Sequence, residues 1–363
     1  MSTGTKMIRK LNWPTLSFFI VTTLVAVIGT PLYIQRYGLS LPQILLFLFY
    51  VGATGLSITV GYHRLYSHST FKANPLVHFL VLFFGAAAFE QSALTWSSGH
   101  RDHHRYVDTD KDPYSIKKGF WYAHIGWMTL WQQQPDYNNS KDLMKNGLLM
   151  NQHRLYVLWG VGAGIVLPVV LGALAGNALG GFILSVCLRL TFVYHATFCI
   201  NSVCHTFGKP TFDFRASARD NWFAALLTNG EGYHSFHHRF PTDYRNAIRW
   251  YQWDPSKWAI RALSILGMAW DLQKVSRFSI LGAVLSSEKQ LLSDRITAVK
   301  DLPKNAALRQ AIHLQYEALV QNLAVWEASV KQGALDKINK ARADFEKARA
   351  EWQLLHQASL QLA

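Results

Sequence analysis

Between Leu11 and Gln35 the chain carries no charged side chain. Its core, TLSFFIVTTLVAVIGTPLY, is long enough to cross a hydrocarbon layer of about 30 Å at about 1.5 Å per helical residue. Further apolar runs occupy residues 41–61, 156–176 and 178–199, the last two separated by a short Gly/Ala/Asn turn. Inside a bilayer every backbone amide needs a partner within the chain, so such runs fold as helices. The expected fold is an all-α integral membrane protein with transmembrane helices at about 14–34, 41–61, 156–176 and 178–199. A basic start at Lys6, Arg9 and Lys10 also resembles a secretory signal, but the first run exceeds the usual core of about 7 to 15 residues and lacks a clear small-residue cleavage site. It is therefore read as a retained span.

A fifth apolar run, Leu76 to Trp96, contains Glu90, and counting it as a span would put residues on its two sides in different compartments. It is expected to be re-entrant or interfacial and buried against protein. Basic residues crowd 64–154 and everything after 208, so the positive-inside bias places both termini and the middle loop in the cytoplasm. The net charge of +14 alone would admit nucleic acid, an anionic membrane surface or an acidic substrate. With half the residues hydrophobic and only 16% charged, the membrane reading prevails and no nucleic-acid partner is expected. Cys187, Cys199 and Cys204 show no Cys-x-x-Cys spacing, which indicates neither a disulfide framework nor a thiolate zinc site.

From residue 301 the composition shifts to Ala, Gln, Lys, Glu and Leu, dividing a membrane domain (1–300) from a C-terminal helical extension (301–363). Leu308, Ile312, Tyr316, Leu319, Leu323, Trp326 and Val330 alternate by four and three, a heptad-like stripe. After Gly333 a second stripe runs through Leu335, Ile338, Phe345, Trp352 and Leu355. A helical hairpin or coiled coil is expected, serving as a packing appendage, a route to a homo-oligomer, or a regulatory or redox-partner dock.

Of 15 histidines, eight fall in tight groups: His63 and His68; His100, His103 and His104; His234, His237 and His238. Composition alone would yield a His-x-x-His-His roughly 0.02 times in such a chain, yet it occurs twice. On a helix, positions i, i+3 and i+4 lie within about 100° of arc, so each triplet is expected to aim three imidazoles at one point. His63 and His68, five apart, would not share a face of a straight α-helix, which places one of them where the chain turns. Eight imidazoles exceed the needs of one ion and suit two; imidazole accepts iron, zinc or copper, while structural zinc usually involves one ion and cysteine.

The segments GYHRLYSHSTF, SSGHRDHHRYVDTDKDPYS and NGEGYHSFHHRFPTDYR resemble the three histidine boxes of the membrane fatty-acyl desaturases, most closely the stearoyl-CoA (acyl-CoA) Δ9 group, here of a bacterial type without a fused cytochrome domain. NSVCHTFG resembles a further element of that family. The resemblance covers about residues 14–260 and implies nine metal-ligating, catalytic histidines: His63, His68, His100, His103, His104, His205, His234, His237 and His238. It also implies that Asn201 touches one metal through water. Trp96 and Thr197 would line the bend of an acyl tunnel, with Glu90 in place of the family's Gln and Gln91 beside it. Where acyl-CoA members place basic residues for the CoA phosphates, this chain has Ser98 and Gln132, Gln133 and Gln134; Arg64, Lys117 and Lys118 could compensate.

The implied activity is O2-dependent introduction of a cis double bond, at Δ9, into an acyl chain on CoA or on membrane phospholipid. Its cofactors would be two iron ions, with O2 as co-substrate. Its partners would be membrane lipids, a ferredoxin-type electron donor and the donor's reductase, and its location a bacterial inner membrane. Arg239, Arg245 and Arg249 could dock an acidic carrier. A lipid or alkane hydroxylase and a non-catalytic metal sensor are the competing readings. Arg189, mid-span, is expected to pair internally with Glu90. His124 and His195 lie near the boxes, whereas His78, His153, His313 and His356 look incidental.

Overall fold

The computed structural model describes residues 10–131, 135–298 and 302–360; Lys6, Arg9 and Gln132 to Gln134 lie outside the described residues. The chain forms two compact units. One comprises the residues up to Gly208 together with Ala218–Lys274, and the other Lys209–Ser217 together with the chain from Val275 onward. The division thus falls at Lys274, ahead of the compositional change at 301, because the Arg277–Ala298 helix contributes Phe278, Leu285, Leu292 and Ile296 to the second unit's core.

Four helices of the first unit are long and apolar enough to cross a membrane: Trp13–Tyr37, Leu41–Ser67, Tyr156–Leu174 and Ala178–Ser202. Local chemistry sets their ends. Asn12 caps the first through Thr15, and a reciprocal Ser40–Gln43 capping box with Pro42 starts the second. Each helix contains a π-helical stretch, the longest being Ser57–Ser67 at the end of the second. The only sheet among the described residues pairs Lys72 with Trp270 and Ala73 with Ala269.

The fifth apolar run is not one continuous helix. It breaks into a Pro75–Ala86 helix, a reversal through Ala87–Ser92 and the Ala93–Tyr106 helix. The first piece has 12 residues, about 18 Å of helix against the roughly 30 Å a crossing needs. Arg189 holds the reversal from the Ala178–Ser202 helix. Its guanidinium donates to the carbonyls of Ala87 at 2.5 Å, Gly164 at 2.9 Å and Ser185 at 3.1 Å. It therefore satisfies buried carbonyls and does not pair with Glu90, contrary to the sequence-based expectation. Ala87 closes the Pro75–Ala86 helix, whose terminal carbonyls carry partial negative charge, while Gly164 and Ser185 lie in the π-helical stretches of two spans.

Tyr62, Leu65, Tyr66, Phe71, Val77, Leu82, Leu94, Leu149 and Ile260 form one buried cluster. It joins the end of the second span to the Pro75–Ala86, Ala93–Tyr106, Gly147–Arg154 and Pro255–Ile265 helices, and so fixes the segments that carry the first two histidine boxes.

The second unit contains the Arg277–Ala298, Leu302–Gln332 and Leu335–Leu360 helices. Gly333, at φ +74°, makes the turn of the hairpin. Ile312, Leu319, Leu323, Trp326, Phe345 and Trp352 of the two stripes form its core, flanked by Leu308, Tyr316, Val330, Ile338 and Leu355. Leu335 departs from the expected pattern and is exposed. Trp352 is fully buried and donates to Glu288, which Arg349 also grips with two bonds. The two stripes thus pack together within the chain, forming the expected helical hairpin.

Candidate metal centre

The π-helical stretch resolves the spacing of the first box. Its ladder runs from i to i+5, and the amide of His68 donates to the carbonyl of His63 at 3.2 Å. Residues five apart therefore share a face, with ring centroids 4.9 Å apart, and His68 stands at the bend where the second span ends, as the spacing required. The Ala93–Tyr106 helix, capped by Ser92, carries the second box, and the short His234–Arg239 helix carries the third. Asp220 accepts hydrogen bonds from the backbone amides of Ser235 and Phe236 in the third box.

The ligand atoms form two groups, each within 4.8 Å: His63, His68, His100, His104 and His237; and His103, His205, His234 and His238. Each triplet is thereby divided, rather than aimed at one point as its spacing suggested. Positions i and i+4 turn one way and i+3 the other, so the arc of about 100° serves two centres. The Nε2 atoms face one another at 2.9 Å for His63–His237 and His68–His100, 2.8 Å for His104–His237, and 3.0 Å for His205–His234 and His234–His238. Metal–imidazole bonds of about 2.1 Å place adjacent ligands about 3 Å apart, so the nine imidazoles fit a pair of nitrogen-ligated ions. Burial, followed by neighbouring charges, holds the pKa values of His68, His100, His104, His205, His237 and His238 well below the ordinary imidazole value; burial lowers that of His234 to about 3. These rings are neutral near pH 7 and can offer lone pairs.

Sequence reasoning missed two carboxylates that touch these groups. Glu231 Oε2 lies 2.9 Å from His63 Nδ1, and Asp112 Oδ1 lies 3.0 Å from His103 Nδ1. Each sits close to a box in sequence, Glu231 three residues before His234 and Asp112 in the acidic run after His104, which is the available signal. Glu231 also accepts from Arg64 and Asn246, while Arg64 reaches Asp254 and the carbonyl of Tyr244. Opposite charges hold Glu231 at about 2 even though burial opposes this.

A cavity of about 300 Å³ is lined by His63, His100, His103, His234 and Asn201 and also by Glu90, Gln91, Trp96 and Thr197. Apolar side chains, including Ile58, Met128, Val193 and Leu227, complete its wall. Trp96 stacks on His100 at 4.9 Å and donates to Glu90, as does Thr197.

The side chains proposed for phosphate and carrier contacts are placed differently. Arg64 is buried in its carboxylate network and unavailable to a soluble phosphate. Ser98 is buried and donates to Asn139. Lys118 donates to the carbonyls of Asp110 and Asp112, whereas Lys117 is exposed. Arg245 is buried against Asp243, leaving Arg239 and Arg249 exposed. His124 bridges Ser202 and His195; His78 and His153 pair with Tyr66 and Ser92. All three cysteines are free thiols.

A family model described as fatty acid desaturase matches residues 40–268. The chain is 40% identical over 297 residues to Acyl-CoA desaturase 1 of Saccharomyces cerevisiae, an alignment covering 79% of this chain and 56% of the yeast protein. It is 40% identical over 287 residues to Probable acyl-CoA desaturase of Schizosaccharomyces pombe, covering 78% and 59%. It is 32% identical over 269 residues to sn-1 stearoyl-lipid 9-desaturase of Synechocystis sp., covering 72% and 80%. The chain thus spans less than two thirds of the length of the two fungal relatives.

Proposed function

The chain belongs to the fatty acid desaturase family, and from that premise we propose that it introduces a cis double bond, at Δ9, into a saturated acyl chain carried on CoA or on membrane phospholipid. The observation that carries this reading is the single cavity in which histidines of both groups meet an apolar wall. Two iron ions would be held by His63, His68, His100, His104 and His237 and by His103, His205, His234 and His238, with Asn201 acting through water. When bound, they would supply the O2-derived oxidant that an unactivated methylene requires and side chains cannot provide. The apolar wall holds an alkyl chain and excludes water from it, while Trp96, Thr197, Glu90 and Gln91 orient it beside the histidines. Electrons come from a ferredoxin-type donor and its reductase, with exposed Arg239 and Arg249 available to an acidic carrier.

The proposed setting is a bacterial inner membrane with both termini and the histidine groups on the cytoplasmic side. An even number of candidate spans and the basic segments at 64–154 and after 208 support it. The two acyl carriers are separable. In cells lacking other desaturases, fatty acids are analysed in the acyl-CoA and phospholipid pools, with His103→Ala as control. New cis-Δ9 alkenes are expected, absent from the control, and the pool in which they first appear identifies the carrier. Hydroxylated chains, or no oxidised product despite bound iron and a working donor, would sink the proposal.

A further inference from the structure

We propose that Glu231 and Asp112 are positioning residues, one for each histidine group, that fix the Nδ1–H tautomer of His63 and of His103 and so present Nε2 of each ring to its ion. The inference rests on the dimetal reading above and concerns which side chains outside the ligand sets hold the ligands in place. His63 brings Nδ1 to 2.9 Å from Glu231 Oε2, an ion-pair contact at an angle short of an aligned hydrogen bond, and turns Nε2 to within 2.9 Å of His237 in its own group. His103 approaches Asp112 with Nδ1 at 3.0 Å and turns Nε2 to within 3.3 Å of His238 in the other. A carboxylate accepts and does not donate, so the facing nitrogen carries the proton and the opposite nitrogen keeps its lone pair.

Both carboxylates are 2% exposed and rigidly held. Glu231 Oε1 accepts from Arg64 Nη2 at 2.9 Å, and Oε2 accepts from Asn246 at 2.6 Å. Arg64 is anchored in turn by Asp254 at 3.0 Å, and Asp254 accepts the amides of Asn246, Ala247 and Lys257. The chain of contacts from that loop to His63 leaves the ring little freedom to rotate. Asp112 has separate support, since its Oδ1 also accepts the amide of Tyr114 at 3.1 Å and its carbonyl receives Lys118. The two supports share no residue, which makes their effects separable. Partners of this kind orient a ligating imidazole and raise its basicity, and their loss typically costs about 10- to 100-fold in metal affinity.

The test uses the full chain in detergent, loaded with ⁵⁷Fe. Iron per chain is followed against a competing chelator, and each sample is examined by Mössbauer spectroscopy. In Glu231→Gln, one of two irons is expected to leave at about 10- to 100-fold lower chelator strength, with one quadrupole doublet altered. In Asp112→Asn the other iron leaves early and the other doublet changes. Glu231→Asp, which restores the charge, should recover part of the lost affinity. Unchanged chelator curves and spectra in both amide variants would overturn the proposal, as would loss of the folded species in both, because a positioning role leaves the fold intact. If only Glu231→Gln fails to fold, Asp112→Asn, outside the Arg64 network, decides. An unaltered chain that binds no iron would instead overturn the dimetal reading itself.

Discussion

Thr197 donates its hydroxyl to Glu90 Oε1 at 3.0 Å, tying the Ala178–Ser202 helix to the reversal that follows Pro75–Ala86. Trp96 donates to Oε2 of the same carboxyl group at 3.2 Å, so three side chains from separate parts of the chain meet on the cavity wall. No group in this trio is basic, and the carboxyl is 5% exposed.

Burial raises Glu90 from 4.5 to about 7, against the opposing effect of its two hydrogen bonds. A raised folded-state pKa means that folding favours the neutral acid. Its contribution is complete below pH 4.5 and is lost as pH rises through about 7, by at most about 3 kcal/mol. The thermal midpoint should therefore fall between pH 6 and pH 8, and Glu90→Gln should flatten that slope. Intrinsic-fluorescence melts at constant ionic strength decide; an equal slope in the variant would remove Glu90 as the cause.

Replacing Arg189 with Met leaves the Ala87, Gly164 and Ser185 carbonyls without their donor in an apolar interior. An unsatisfied buried acceptor costs about 1–3 kcal/mol, so a loss of several kcal/mol is expected. Arg189→Lys should recover only part, because a compact ammonium lacks the spread of a guanidinium. Fluorescence-detected size exclusion after heating measures this, and a Met variant as robust as the parent would contradict it.

Gly164 and Gly162 make a matched pair. A Cβ on Gly164 would lie 2.6 Å from the Phe89 ring and 3.0 Å from the Ala87 backbone, whereas one on Gly162 meets nothing within 4 Å. Gly164→Ala should destabilise by about 1–3 kcal/mol through overpacking. Gly162→Ala should be neutral or slightly stabilising. Equal melting temperatures for the two variants would show that the reversal has room to shift.

In the C-terminal unit, Trp352→Ala removes a fully buried ring together with its bond to Glu288. The expected cost is about 3–5 kcal/mol, seen as faster proteolysis within residues 302–360. Trp352→Phe should retain much of the packing. A cleavage rate unaffected by the alanine variant would mean that this core is not what holds the helices together.

The spans were legible because an uncharged run of that length has one stable solution in a bilayer, and the histidines because their spacing defies composition. What stayed hidden depended on contacts between distant residues or on departures from the ideal helix. Nothing in SITVGYHRLYSH announces a π-helical ladder, yet it alone brings His63 and His68 to one face. Arg64 reads as a free cation until Glu231 and Asp254 are seen beside it. The opposed facing of His103 and its neighbours His100 and His104 follows from helix geometry, but choosing two centres over one required the third box to be in place.

The brevity of the Pro75–Ala86 helix has a consequence of parity. His63 and His68 precede it, while His100, His103 and His104 follow it, and both histidine groups also draw on the segment beyond the last span. A chain that enters a membrane and returns leaves the count of crossings even. Were this helix extended by some eight residues to full crossing length, at about 1.5 Å each, the second box would emerge on the opposite face from the first. The five-histidine group, which needs His63 and His68 beside His100, His104 and His237, could then not assemble, although every histidine would still be present. The length of an apolar segment that contributes no ligand thus decides whether the ligands can meet.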